Sequence, residues 1–341
     1  MVTNVLDAYG LNAHNCTVVA LGSGLINSTW KVSAGDGAYI LQCINNNIFK
    51  SPQAIANNLE QLKNYLKITS PDYLFAAPLA TTAGDFLVMD DGQYYRLLPF
   101  IENSHTVDVV SQPEQAYEAA KQFGKFSRLL NDFDASQLQY TLPDFHNLKL
   151  RVLQFQSALT KAEPARLAEA DKEIPRLKLH SGIVNTYNDI ITNKTIPLRV
   201  IHHDTKINNV LFDYNNKGLC VIDLDTVMPG YFISDVGDMM RTYLSPANEE
   251  EQDLSKVYIR QENLTAIYQG YMDEMGDILT PAEKKLFYYS GEFMIYMQAV
   301  RFLTDYLNGD VYYHTSYPGQ NLLRAKNQLC LLEMYVEAVR S

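Results

Sequence analysis

Strand signals in this chain are confined to residues 17–98 and to one island between 197 and 225, and that segregation limits the folds open to it. Residues 17–44 alternate "TVVAL", the loop "GSGLINS", "TWKVS", the tight turn "GDGA" and "YILQCI". Glycine permits the positive φ angles that such turns require, so consecutive hairpins predict an antiparallel sheet. A helix follows in "SPQAIANNLEQLKNYLKI", with Ser51 placed as N-cap, Pro52 at the first helical position and Ile55, Leu59, Leu62 and Leu66 at helical spacing. Another hairpin turns at Asp91-Gly92, after which strand signals stop. We expect a boundary there, with a sheet-rich lobe over 1–98 and a mainly helical lobe over 99–341.

From Pro113 the pattern is helical, in "PEQAYEAAKQFGKFSRLL" and "KAEPARLAEADKEIPRLKL", and the terminal third reads as three helices with apolar stripes. The 341 residues are enough for two cores, giving an α+β protein of two lobes. No apolar run reaches the roughly 18 residues of a membrane helix. The first twenty residues lack a basic stretch followed by an apolar one, so the expected location is cytoplasmic. Cys16, Cys43, Cys220 and Cys330 are scattered without metal-ligand or disulfide spacing. A net charge of -11 disfavours nucleic acid and anionic membranes as partners, and nothing in the pattern sets an oligomeric state.

The island holds "IHHDTKINNVLFDYNNKGLCVIDLDT", residues 201–226, where His, Asp, Lys and Asn crowd between short apolar strands. His202, Asp204 and Asn209 follow an HxDxxxxN spacing, and Asp223 ends the next strand across the turn "DYNNKG". Antiparallel pairing brings Asn209 and Asp223 together. Their hard oxygens suit magnesium, while Asp204 can accept the proton of a hydroxyl aligned for attack on a phosphoryl group. Asp225 can join the metal shell through water or contact the acceptor. Lys206 can neutralise a transferring phosphoryl group or face solvent, and His202 suits bracing the backbone.

These residues resemble the aminoglycoside phosphotransferase and choline kinase superfamily. That resemblance implies a protein-kinase-like fold, ATP as phosphoryl donor and a small-molecule acceptor. It makes Asp204 the catalytic base, with Asn209 and Asp223 as magnesium ligands, and gives Asp235 in "SDVGDMMR" a structural role tying the loop through its backbone. "YILQCINNNIFKSP", "CVIDLDTVMPG" and "VRFLTDYLNGDVYYHTSYPGQNLLRAKNQ" look like the N-acetylhexosamine 1-kinases, which implies N-acetylglucosamine or N-acetylgalactosamine as acceptor. Choline, homoserine, an aminoglycoside or another sugar remain alternatives, as does a silent nucleotide-binding protein.

By the same resemblance the sheet-rich lobe binds nucleotide. Gly22 and Gly24 would cover the phosphates through backbone N–H groups, and Leu98 and Phe100 in "RLLPFIEN" would meet adenine at the hinge. The family's basic residue on the third strand falls at Gln42, which can contact phosphate but brings no charge, and Glu60 is either its partner or an ordinary helix surface residue. For the acceptor, Arg301, Asp305 and Tyr312 in "RFLTDYLNGDVYY" offer hydrogen bonds and an apolar wall, and the resemblance implies a second wall at Asn321 and Arg324 in "GQNLLR"; Arg301 and Asp305 also have i,i+4 ion-pair spacing.

Overall fold

The computed structural model describes residues 2–21, 26–35 and 37–340. A short helix α1 (Thr3–Ala8) precedes strands β1 (Thr17–Ala20), β2 (Ser28–Ala34) and β3 (Gly37–Ile44), helix α2 (Pro52–Thr69), and the hairpin β4 (Val88–Asp90) and β5 (Gln93–Pro99). These strands form one antiparallel sheet in the order β1-β2-β3-β5-β4. Asp91 and Gly92 both take positive φ in the last hairpin, as a tight two-residue turn requires.

Alternation along the strands divides the sheet's faces. Val32, Leu41 and Leu97 point to one side and close a small core with Val5 and Leu6 of α1. Thr29, Lys31, Ile40, Gln42, Arg96 and Leu98 take the opposite parity and face away from that core.

Helices then dominate: α3 (Pro113–Leu129), α4 (Leu148–Lys161), α5 (Pro164–Glu169), α6 (Glu173–Leu179) and α7 (Gly182–Asn193). The island follows as β6 (Arg199–Ile201), β7 (Val210–Phe212), β8 (Gly218–Val221) and β9 (Met228–Gly230). Strand β7 pairs with β8, and β6 pairs with β9 rather than with the β7–β8 hairpin. The chain continues through α8 (Phe232–Tyr243), α9 (Gln261–Met275), α10 (Pro281–Lys285), α11 (Tyr289–Leu307) and α12 (Gln320–Arg340). Beyond α8 the terminal third, expected as three helices, thus carries four among the described residues, because α10 and α11 are separated at 286–288.

Helix α2 precedes the expected boundary at residue 98, yet its Ile55, Leu59, Leu62 and Leu66 belong to the large core shared with Phe123 and Phe126 of α3. Asn58 fastens it further, donating to the carbonyls of Gln139 and Val227. Glu60 lies exposed on the outer side.

Glycines let the large helices approach closely. A Cβ on Gly270 of α9 would stand 2.2 Å from the Tyr117 carbonyl oxygen of α3. An unhindered mid-helix Gly→Ala change gains about 1 kcal/mol from helix propensity. Here the backbone contact reverses the sign, because α3 and α9 must separate. We expect Gly270→Ala to cost about 1–3 kcal/mol in urea unfolding; a variant as stable as the parent would show that these helices are not locked together.

Candidate active site

The loop 202–206 is suspended from α8. Asp235 and Asp238 stand three residues apart, on one helix face. Asp235 is fully buried and accepts from the backbone N–H of His202 at 2.9 Å and of His203 at 2.7 Å. Asp238 accepts from Thr205 N–H at 3.0 Å and pairs with Arg241. Burial pushes the Asp235 carboxyl up to about 7, against the two N–H donors that favour its charged form.

Both histidines serve as braces. His202 is buried, its Nε2 2.9 Å from the Ile222 carbonyl and its ring edge-on to Phe123. His203 adopts a left-handed φ of 67° and sets Nδ1 3.1 Å from the Thr226 carbonyl. Burial, then the neighbouring His202, lowers its pKa to about 3, so its ring is neutral at physiological pH. Gly230 makes room for it: a Cβ there would lie 2.5 Å from His203 Nε2.

This bracing leaves Asp204 partly open, with Lys206 Nζ 3.3 Å from its Oδ1. The charge of Asp204 is the main cause of a raised Lys206 pKa. Asn209 donates its side-chain N–H to the Asp204 carbonyl at 2.9 Å, which leaves its amide oxygen free of that bond. The β7–β8 ladder continues through Ile222 N–H to the Asn209 carbonyl, so Asn209 and Asp223 emerge side by side. Asp223 takes a left-handed φ of 57° and keeps an exposed surface, although protein surrounds it closely. Desolvation, then the charges of Asp225 and Asp204, raises its pKa to about 7.

Asn209 and Asp223 are therefore neighbouring hard-oxygen donors, the chemistry magnesium prefers. No three His, Cys, Asp or Glu groups among the described residues converge as an all-protein metal cage.

Asp225 does not share the opening of its neighbours. It is 1% exposed and turned toward the sheet, where it pairs with Arg96 Nη1 and accepts from Asn27 Nδ2 at 2.8 Å. This differs from the expected water-mediated metal or acceptor contact, because two buried donors already hold both oxygens. Gln42 faces the same network: its Oε1 accepts from Arg96 Nε at 3.0 Å and Nη2 at 2.8 Å. The partner of Gln42 is thus Arg96, not Glu60. Gly22 and Gly24 lie outside the described residues. Leu98 lies beside Ile40 on the face away from the small core, whereas Phe100 gives its N–H to the Ala38 carbonyl and its ring to Lys31, 3.8 Å from the centroid.

The expected acceptor residues separate into two groups. Arg301 and Tyr312 line a cavity of about 270 Å³ with Arg151, Gln154 and Tyr313. Arg301 lies over the Phe145, Tyr312 and Tyr313 rings and donates to Gln298, so its i,i+4 pair with Asp305 does not form. Asp305 borders the cavity, but its carboxylate instead accepts the backbone N–H groups of Val311, Tyr312 and Tyr313. Asn321 is fully buried and bridges Asp305 to Asp310, while Arg324 pairs with Glu250. The polar ends of Asp305, Asn321 and Arg324 thus brace the 310–314 loop, because its amides and carbonyls need internal partners.

A second cavity, of about 190 Å³, touches the loop itself and is lined by Lys206, Asn208, Arg241, Asn248, Glu249 and Gln328, among others. Except for Lys206, sequence reasoning missed this set. The acidic run at 249–251 was the one available signal.

A five-stranded antiparallel sheet above a helical lobe, with Asp204, Asn209 and Asp223 on adjoining loops of the latter, is the protein-kinase-like fold in its small-molecule phosphotransferase form. The chain belongs to the phosphotransferase enzyme family (APH), whose profile matches residues 17–263. The fold is similar to that of a spectinomycin phosphotransferase solved with ADP and spectinomycin, at a TM-score of 0.63 and 14% identity over 100% of this chain and 98% of that one. It is also similar to a microcompartment-associated aminopropanol kinase, at 0.65 and 15% over 98% and 96%. A choline kinase from Cryptosporidium parvum gives 0.61 and 14% over 98% and 96%. No helix among the described residues is long and apolar enough to cross a membrane.

Proposed function

We propose that this protein transfers the γ-phosphoryl group of ATP to the anomeric hydroxyl of N-acetylglucosamine or N-acetylgalactosamine, giving the sugar 1-phosphate. The observation that carries the chemistry is Asp204, partly open and 3.3 Å from Lys206, on the loop that also presents Asn209 beside Asp223. Asp204 orients the acceptor hydroxyl and takes its proton, and Lys206 balances charge on the transferring group. Asn209 and Asp223 would hold magnesium, which when bound neutralises phosphate charge. Residues 1–98 serve the nucleotide and 99–341 the acceptor, with Leu98 under the adenine.

The acceptor choice draws on the resemblance to N-acetylhexosamine 1-kinases and on the character of the cavities. Two guanidiniums, Arg151 and Arg301, flank the cavity of about 270 Å³ and repel a cationic acceptor. No aromatic ring lines the smaller among the described residues, so it offers no cage for a quaternary ammonium.

The test is ADP release from Mg-ATP across N-acetylglucosamine, N-acetylgalactosamine, unmodified hexoses, choline, homoserine and kanamycin. An N-acetylhexosamine should give the highest kcat/KM, with phosphate found at the anomeric oxygen. A higher value for choline or kanamycin would replace the sugar assignment while leaving the phosphotransferase chemistry in place.

A further inference from the structure

Phosphate binding in a cleft of this kind calls for a fixed positive charge, and the third strand of this sheet offers only Gln42 there. We propose that Arg96, on the adjacent strand, is the phosphate-side cation of this chain, and that Gln42 and Asp225 together aim it. This inference rests on the reading that nucleotide binds between the sheet and the Asp223 loop.

The register places Arg96 directly opposite Gln42 in the β3–β5 pair, so the two side chains stand next to each other on the face turned from the small core. Gln42 Oε1 receives both Nε and Nη2 of Arg96 and thereby fixes the plane of the guanidinium. Nη1 turns to Asp225, two residues beyond Asp223, so the charge lies between the sheet and the loop carrying Asp223. Asn27 holds the other oxygen of Asp225 and accepts the Asn45 N–H at its own Oδ1, tying that loop to the segments flanking β2 and β3. A guanidinium has five N–H groups, and the contacts to Gln42 and Asp225 occupy three.

Stability alone does not account for this arrangement. Arg96 and Asp225 are both about 98% or more buried, and a buried ion pair commonly does no better than an apolar pair of the same shape. The other cation on this face is no substitute: Lys31 pairs with Ile40 in the register, nearer the hinge, and its ammonium sits over Phe100.

The experiment measures ADP and Mg-ATP binding by calorimetry with no acceptor present. Arg96→Gln should weaken binding by roughly ten- to a hundredfold, the range expected of a charge-assisted contact. The double variant Gln42→Lys/Arg96→Gln moves the charge back to the third strand and should recover most of that loss. Unchanged affinity in Arg96→Gln would overturn the proposal. So would failure of the double variant to recover while Asp225→Asn loses as much as Arg96→Gln, since Arg96 would then only prop up Asp225. If thermal unfolding shows that Arg96→Gln does not fold, Arg96→Lys and the double variant carry the comparison: each keeps one cation and should bind within roughly tenfold of the parent. A folded double variant that does not bind overturns the assignment. A wrong sugar leaves these results untouched, whereas a parent chain that binds no nucleotide overturns the proposed function itself.

Discussion

Asp204→Asn is expected to lower kcat by about 10²–10⁴-fold, the usual contribution of a positioned general base, while nucleotide affinity changes little. The structure separates these effects because the loop does not depend on the Asp204 side chain for its shape. Its backbone is held at His202 and His203 by Asp235 and at Thr205 by Asp238. The side chain of Asp204 has Lys206 as its ion-pair partner, and asparagine keeps the size of the group while removing its charge and basicity. Steady-state kinetics with the best acceptor, together with nucleotide titration, provide the check. A kcat within about tenfold of the parent would place the base elsewhere.

Asp235→Ala is expected to destabilise the protein by about 2–4 kcal/mol in urea unfolding and to lower activity without touching substrate. Two buried N–H donors lose their acceptor, each at about 1–3 kcal/mol, and relief of a poorly solvated carboxylate returns part of that. The pH dependence carries a second signature. With its pKa raised from 3.8 to about 7, the folded carboxyl keeps a proton that the unfolded chain gives up between those values. Its contribution to stability is full below the unfolded pKa and is lost as pH rises through about 7. Asp235→Ala should remove that slope. A variant within about 1 kcal/mol of the parent, with the slope unchanged, would show that Asp235 does not hold the loop.

What could be read from sequence was local. The hairpin that joins Asn209 to Ile222, next to Asp223, followed from two apolar strands and a polar turn, and the hairpin at Asp91-Gly92 from residues that accept positive φ. Arg96 escaped notice because "YYRLLPF" reads as an ordinary alternating strand; its meaning depends on which residue of β3 lies opposite. Asp305 misled because i,i+4 spacing to Arg301 is a helix property, while the competing demand came from loop amides beyond the helix end. The apolar spacing of α2 announced a buried stripe but could not say which core would receive it.

The seat of α2 decides where the chain can be divided. Because α2 is seated in the large core and tied through Asn58, the helical frame includes this helix, and Ile44 at the end of β3 reaches the same core. Severing the chain at residue 98 would strip the frame of α2 and leave Ile55, Leu59, Leu62 and Leu66 facing water. A cut there would pass through a shared core, not between two separate ones.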